Sequence, residues 1–189
     1  MKKNLLIAVM MTIVTTVLLG IIYPLVITGI AQAVFPAKAN GQLIRSNGKV
    51  IGSRMIGQPF IGPSYFHSRP SAAGAGYDAA SSGGTNLGPT NKSLVDRVEQ
   101  DAKALQAENP GVPVPVDLVT TSASGLDPHI SIAAAEFQVP RIARARAMSP
   151  SQVQQLVRDH TEPRQFGFLG EPRVNVLDLN LALDRAAAP

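Results

Sequence analysis

Three histidines, His67, His129 and His160, and the carboxylate of Asp127 two residues before His129 are the side chains whose types could carry proton chemistry. An Asp–His pair is the raw material of acid–base catalysis. In a loop that enters a helix, however, aspartate more often accepts hydrogen bonds from backbone amides. The histidines stand singly and lack the spacing of zinc ligands, so each reads as structural. Gly41 followed by Gly48-Lys49 invites a phosphate-loop reading. It fails, because six residues separate the glycines where the motif needs four, and Val50 stands where Ser or Thr belongs. No Gly-x-Ser-x-Gly elbow occurs. The chain has no cysteine, which excludes disulfide scaffolds, thiolate metal sites and cysteine nucleophiles, and fits either redox compartment. Glycine-rich backbone, here Ser81-Ser82-Gly83-Gly84-Thr85-Asn86, can approach a phosphate closely. Without a phosphate motif the stretch reads first as a structural or partner-facing loop.

The element that must position everything else is the uncharged run from Asn4 to Ala37. A bilayer core takes about 20 apolar residues of helix, and the surplus here must tilt the helix or extend beyond the hydrocarbon. Threonines within it can return their hydroxyls to helix carbonyls. Pro24 removes one helix hydrogen bond and predicts a kink near Gly20 to Tyr23. Tyr23 and Phe35 suit membrane interfaces. A cleaved signal peptide is the competing reading, with Lys2 and Lys3 as its basic head and Ala31-Gln32-Ala33 as a cleavage site. Signal cores are only about 7–15 residues long, so the retained anchor is preferred. Lys2 and Lys3 argue for an inside N-terminus and an outside body, although Lys38, Arg45, Lys49 and Arg54 follow closely behind.

Of 189 residues, about 150 remain after the anchor, enough for one modest domain. Setting aside Lys2 and Lys3 leaves 15 basic residues against 13 acidic ones, so the body is nearly neutral. No basic stripe is interleaved with aromatics, and no nucleic-acid partner is expected. The expected organisation is α+β: a transmembrane helix over 1–37, then a small mixed domain over 38–189 that includes a long Gly-rich loop over 58–89.

Within that domain, Ser46-Asn47-Gly48 predicts a tight hairpin turn between Gln42–Arg45 and Lys49–Ile51. The loop from Gln58 to Pro89 is aromatic and proline-broken, and its aromatics argue that it packs on something. Leu94, Val98, Ala102 and Leu105 share one face of a helix over Thr90–Asn109, capped by Thr90 or Asn91. Val116–Val119 reads as a short strand. Ser131 caps a helix from Ile132 to Gln138, and Pro140 begins a second segment. Ser149-Pro150-Ser151-Gln152 matches a capping box ahead of a helix ending near His160. Phe166 to Pro172 reads as a turn with buried aromatics, Arg173–Val176 as a strand, and Leu177–Leu183 as a strand followed by a short terminal helix.

Six blocks in order carry a family resemblance. They are Gly57-Gln58-Pro59-Phe60; Tyr65-Phe66-His67-Ser68-Arg69-Pro70-Ser71; Asn86-Leu87-Gly88-Pro89-Thr90-Asn91; Ser122 to Ser131; Gln138-Val139-Pro140-Arg141-Ile142-Ala143; and Glu171 to Leu177. Together with the single anchor, they resemble the C subunit of the bacterial Kdp potassium-transporting ATPase over essentially the whole chain. Ile132 stands where that family usually has proline. The resemblance implies a non-catalytic subunit in the bacterial inner membrane, with its N-terminus cytoplasmic and its domain periplasmic. The implied partners are a channel-like potassium-translocating subunit, a P-type ATPase subunit and membrane lipid. Its implied role is to stabilise the assembly and raise the ATP affinity of the pump subunit. The chain has no Asp-Lys-Thr-Gly phosphoryl acceptor of its own, and one spanning helix cannot enclose an ion path.

In that family the Ser-Gly-Gly stretch has been likened to a nucleotide-touching signature of ABC transporters. The corresponding positions are Ser82, Gly83 and Gly84, with Asn86 following, and they imply an ATP contact. The topology argued from charge places these residues on the side away from cytoplasmic ATP. The rival readings are an anchored periplasmic hydrolase using Asp127 and His129, and an anchored periplasmic binding module. For the subunit reading, small positions such as Gly20 and Gly29 are where the helix would dock against partner helices, and the 58–89 loop would pack on the channel-like subunit.

Overall fold

The structure is a computed structural model that describes residues 1–186. It divides into two compact units, Met1–Ile51 and Gly52–Pro189. The first is dominated by one apolar helical run, Lys2–Val34, long enough to cross a membrane. It comprises α1 (Lys2–Thr15), a π-helical turn (Thr16–Ile22) and α2 (Tyr23–Val34). None of its side chains is buried within the protein. Thr12 and Thr15 donate their hydroxyls to the carbonyls of Ala8 and Met11, which removes two polar groups from an apolar surface. The Pro24 disturbance takes a particular form, a π-turn. The Tyr23 amide reaches back five residues to Leu18, and the wider register accommodates the proline ring. Phe35, at φ −131° and ψ 53°, leaves the α region that a following proline disfavours and ends α2, and Pro36–Ala39 adds one turn, α3.

β1 (Leu43–Ser46) and β2 (Lys49–Ser53) form the expected hairpin. Asn47 and Gly48 both take positive φ, 50° and 75°, as the tight turn demands.

The second unit is built from α4 (Lys92–Glu108), β3 (His129–Ser131), α5 (Ile132–Arg146), α6 (Pro150–Asp159), β4 (Thr161–Glu162), β5 (Arg173–Asn175) and α7 (Val176–Ala186). The three strands form one antiparallel sheet in the order β3-β5-β4, with Ile130 opposite Val174 and Thr161 opposite Val174. Helices α5, α6 and α7 bury Phe137, Ile142, Val153, Val157, Leu179 and Leu183 beside it. Val153 and Val157, one helical turn apart on α6, are almost wholly buried, each worth about 1.5–3 kcal/mol. The caps at Asn91, Ser131 and Ser149 form as the sequence indicates, including the complete Ser149–Gln152 capping box.

Four expectations are corrected. Val116–Leu118 is a turn of 3₁₀ helix, because the Asp117 carboxylate accepts the Ser131 amide at 2.7 Å and Val116 faces solvent. Helix α5 runs through Pro140 without a break. The carbonyl left unpartnered four residues earlier belongs to Glu136, which, like Pro140, is exposed, so the proline costs little. Leu177–Leu183 is entirely helical. Val176, Leu179, Asn180 and Leu183 form a buried stripe at helical spacing, and this outweighs the alternation of leucines. Phe166, Phe168 and Leu169 are exposed by 80%, 70% and 48%, not buried.

Candidate functional site

The long loop is irregular, yet its first half is part of the core. Phe66 has no exposed surface. A loop with buried backbone needs partners for its amides and carbonyls, and here helix side chains supply them. The Asn180 side-chain amide accepts the Phe66 N–H at 2.8 Å and donates to the Phe66 carbonyl at 2.9 Å. Gln138 does the same one residue on, accepting the His67 N–H at 2.8 Å and donating to its carbonyl at 3.1 Å. Each amide thus acts as a one-residue strand against the loop. Arg141 donates to the carbonyls of Pro63 and Tyr65. Arg146 donates to the Ser64 carbonyl, pairs with Asp184 at 2.8 Å and lies over the Tyr65 ring.

His67 sits in this clamp with Nε2 at 2.8 Å from the Gly62 carbonyl. Burial, and next the positive charge of Arg141, holds its imidazole below the ordinary value, against the opposite pull of the Gly62 carbonyl and Glu108. Burial and Arg141 thus favour the neutral ring.

The second half of the loop is tied to Ser122–Gly125. Ser71 donates to the Gly125 carbonyl, and Tyr77 donates its hydroxyl to the Arg69 carbonyl. Ser82 Oγ donates to the Ser124 carbonyl at 3.0 Å, and the Gly83 amide donates to the same oxygen at 2.9 Å. Gly84 lies so close to the Ala123 carbonyl that a β-carbon would sit 3.0 Å from it. Gly125, at φ 67°, leaves no room at all: a β-carbon there would lie 2.7 Å from both the Ala73 nitrogen and the Gly83 oxygen. Of the four residues with an implied ATP contact, Ser82, Gly83 and Gly84 are thus drawn together against one turn. Asn86 is exposed, with φ 52°.

Arg69, Asp117, Asp127, His129, Glu171 and Arg173 are among the residues lining an open cleft of about 490 Å³. Asp127 accepts the His129 amide at 3.0 Å, the turn role anticipated for it, while His129 Nδ1 is 3.6 Å from the same carboxylate oxygen and Arg69 is 3.4 Å from the other. Burial pushes the Asp127 carboxyl up, but the hydrogen bonds and charge of His129 and the charge of Arg69 outweigh it and hold it below the ordinary carboxylate value. Arg173 is occupied by Glu162, and the Ser131 hydroxyl by the α5 cap. This is a cleft of paired charges.

The three histidines are not brought together: His67 is in the clamp, His129 on β3, and His160 at the end of α6 with Nδ1 by the Leu156 carbonyl. Among the described residues no cluster of His, Asp or Glu is arranged to hold a metal ion. The side chains that hold the loop are Gln138, which the sequence marks only as a helix end and the start of a family block, and Asn180, which it does not single out. Their signal was present: each is a lone amide within an otherwise apolar helix face.

Among the described residues the chain combines one apolar helix long enough to cross a membrane with a small α+β domain that clamps its own loops. A family model described as K+-transporting ATPase, c chain (KdpC), matches residues 5–185. A potassium-transporting ATPase KdpC subunit from Koribacter versatilis is 71% identical over 97% of this chain and 95% of its own length. KdpC subunits from Bradyrhizobium diazoefficiens and Acidobacterium capsulatum are 57% and 60% identical, over 96% and 94% of this chain and 96% of their own lengths in both cases. The chain belongs to the KdpC family of potassium-transporting ATPase subunits.

Proposed function

We propose that the chain is the non-catalytic accessory subunit of an ATP-driven, high-affinity potassium uptake complex, and that it stabilises the assembly and raises the ATP affinity of the ATP-hydrolysing subunit. The observation that carries this reading is the family match across both the anchor and the domain, over residues 5–185. Its partners are a channel-like potassium-translocating subunit and a P-type ATPase subunit, held in the bacterial inner membrane beside its single helix. The basic head, Lys2 and Lys3, favours a cytoplasmic N-terminus and a periplasmic domain.

On that topology the effect on ATP is transmitted through the partners. Direct contact through Ser82, Gly83, Gly84 and Asn86 is the competing route. The Gly83 amide already donates to Ser124, which leaves one fewer donor for a phosphate and favours the indirect route. ATP hydrolysis measured against ATP concentration, with and without this chain, tests the role. A several-fold rise in the apparent KM for ATP on omission is expected, and an unchanged KM overturns it. Ser82→Ala with Asn86→Ala separates the routes: indirect action predicts an unchanged KM, direct contact a raised one. The hydrolase reading is tested by Asp127→Asn with His129→Gln, which is expected to leave potassium-dependent ATP turnover intact.

A further inference from the structure

Between β4 and β5 the chain projects a tight turn whose apolar side chains have no cover among the described residues. Phe166, Phe168 and Leu169 are exposed by 80%, 70% and 48%. The turn is closed by its own backbone: the amides and carbonyls of Gln165 and Leu169 pair reciprocally at 2.9 Å, and Gly167 and Phe168 donate to the carbonyls of Arg164 and Gln165. Phe166 itself has φ 54°, a costly conformation for a residue with a β-carbon, followed by Gly167 at 84°. A turn that holds a phenylalanine ring outward at local backbone expense is ordered before anything binds it, and pre-ordering lowers the entropy cost of docking.

We propose that Phe166, Phe168 and Leu169 form a preformed apolar knob that seats in an apolar pocket on another subunit of the potassium-transporting ATPase. The proposal rests on the subunit reading above. The surrounding charges argue against a lipid surface. Arg164 is neutralised by Glu171 at 2.6 Å and Arg173 by Glu162 at 2.9 Å, so the arm offers anionic headgroups no net positive charge. The tip also lacks the Trp and Tyr that favour headgroup depth.

Size argues against a second copy of this chain. Two phenylalanines at about 150–250 Å² each, plus one leucine, fall short of the roughly 800 Å² per partner that a stable interface buries. A knob of this size works as one anchor within a larger contact, such as that of a subunit already held beside its partners in the membrane. Buried aromatic anchors are where binding energy concentrates.

The test uses the full-length chain, tagged and produced with the other subunits of its complex, then extracted in mild detergent. Phe166→Ser combined with Phe168→Ser is expected to cut recovery of the partner subunits by about tenfold or more. The same variant alone is expected to melt within a few degrees of the parent, which separates a lost contact from a lost fold. A photoreactive phenylalanine analogue at position 168 is expected to crosslink to another subunit of the complex. Undiminished partner recovery, or crosslinks confined to lipid or to a second copy of this chain, overturns the proposal. If the parent chain itself is recovered without partners, the subunit reading falls and the knob falls with it.

Discussion

Two stretches of this domain have the same kind of sequence and opposite fates. Phe60-Ile61-Gly62-Pro63-Ser64-Tyr65-Phe66 and Phe166-Gly167-Phe168-Leu169-Gly170-Glu171-Pro172 both interleave aromatics with glycine and proline. In the first, Phe66 is fully buried, and the adjoining backbone is held by Asn180, Gln138, Arg141 and Arg146. In the second, both rings are exposed and the turn is closed by its own backbone. Local sequence fixes the turn; whether its aromatics are buried depends on polar side chains placed far away in the chain to satisfy the backbone.

The contrast breaks most visibly at Phe66. Phe66→Ala should cost about 3–5 kcal/mol, because a fully buried ring leaves a cavity in the core. At roughly 2–4 °C per kcal/mol for a chain of this size, the melting temperature in detergent should fall by about 6–20 °C. Asn180→Ala comes next. It strands one donor and one acceptor of Phe66 at a site with 1% exposure, and at about 1–3 kcal/mol for each stranded group a loss of roughly 2–6 kcal/mol is expected. Asn180→Leu should not rescue it, since leucine matches the volume but offers neither an acceptor for the Phe66 amide nor a donor for its carbonyl. If Asn180→Ala melts like the parent, the loop is not held by that side chain.

The pH dependence of the clamp has a definite sign. His67 is held below its ordinary value of 6.5 when folded, chiefly by burial and by Arg141. Below pH 6.5 the unfolded chain therefore binds a proton that the folded chain resists. His67's contribution is fully present above that pH and is lost as pH falls through the lower, folded value. Asp127, also held low, makes a separate contribution that is lost only in the acid range below its ordinary carboxylate value. Melting curves between pH 7.5 and 5 should show stability declining on the acid side, with a smaller decline in His67→Gln. Equal slopes in the two proteins would remove His67 from the account.

Much of this architecture is legible in the residues. Asn47-Gly48 announces its hairpin because few other pairs tolerate two positive φ angles. Ser149 and Gln152 announce their helix because the box satisfies two end groups reciprocally. The six motif blocks identify the family. In two helical stretches a local signal is outvoted: Pro140 sits where losing a carbonyl partner costs little, and alternating leucines at 177–183 hide a buried stripe in which Asn180 takes part. The implied nucleotide residues show the limit differently. Ser82 to Gly84 are brought together, but what draws them is the Ser122–Gly125 turn of the same domain, and residue types alone do not reveal that a glycine amide is already donating.

The smallest expected effect is the most discriminating one. Phe166→Ala in the isolated chain should change stability by less than about 0.5 kcal/mol, because an exposed ring leaves neither cavity nor stranded polar group. The two sites then differ in sign when glycine replaces alanine. At Phe66 glycine should be no better than alanine, since the cavity remains and the unfolded chain gains freedom. At Phe166, where φ is 54°, glycine adopts the observed backbone without a β-carbon penalty, and Phe166→Gly should match or exceed Phe166→Ala in melting temperature. A large loss at Phe166 would mean that its ring packs within this chain in solution, and the distinction between a clamped loop and a presented knob would fail.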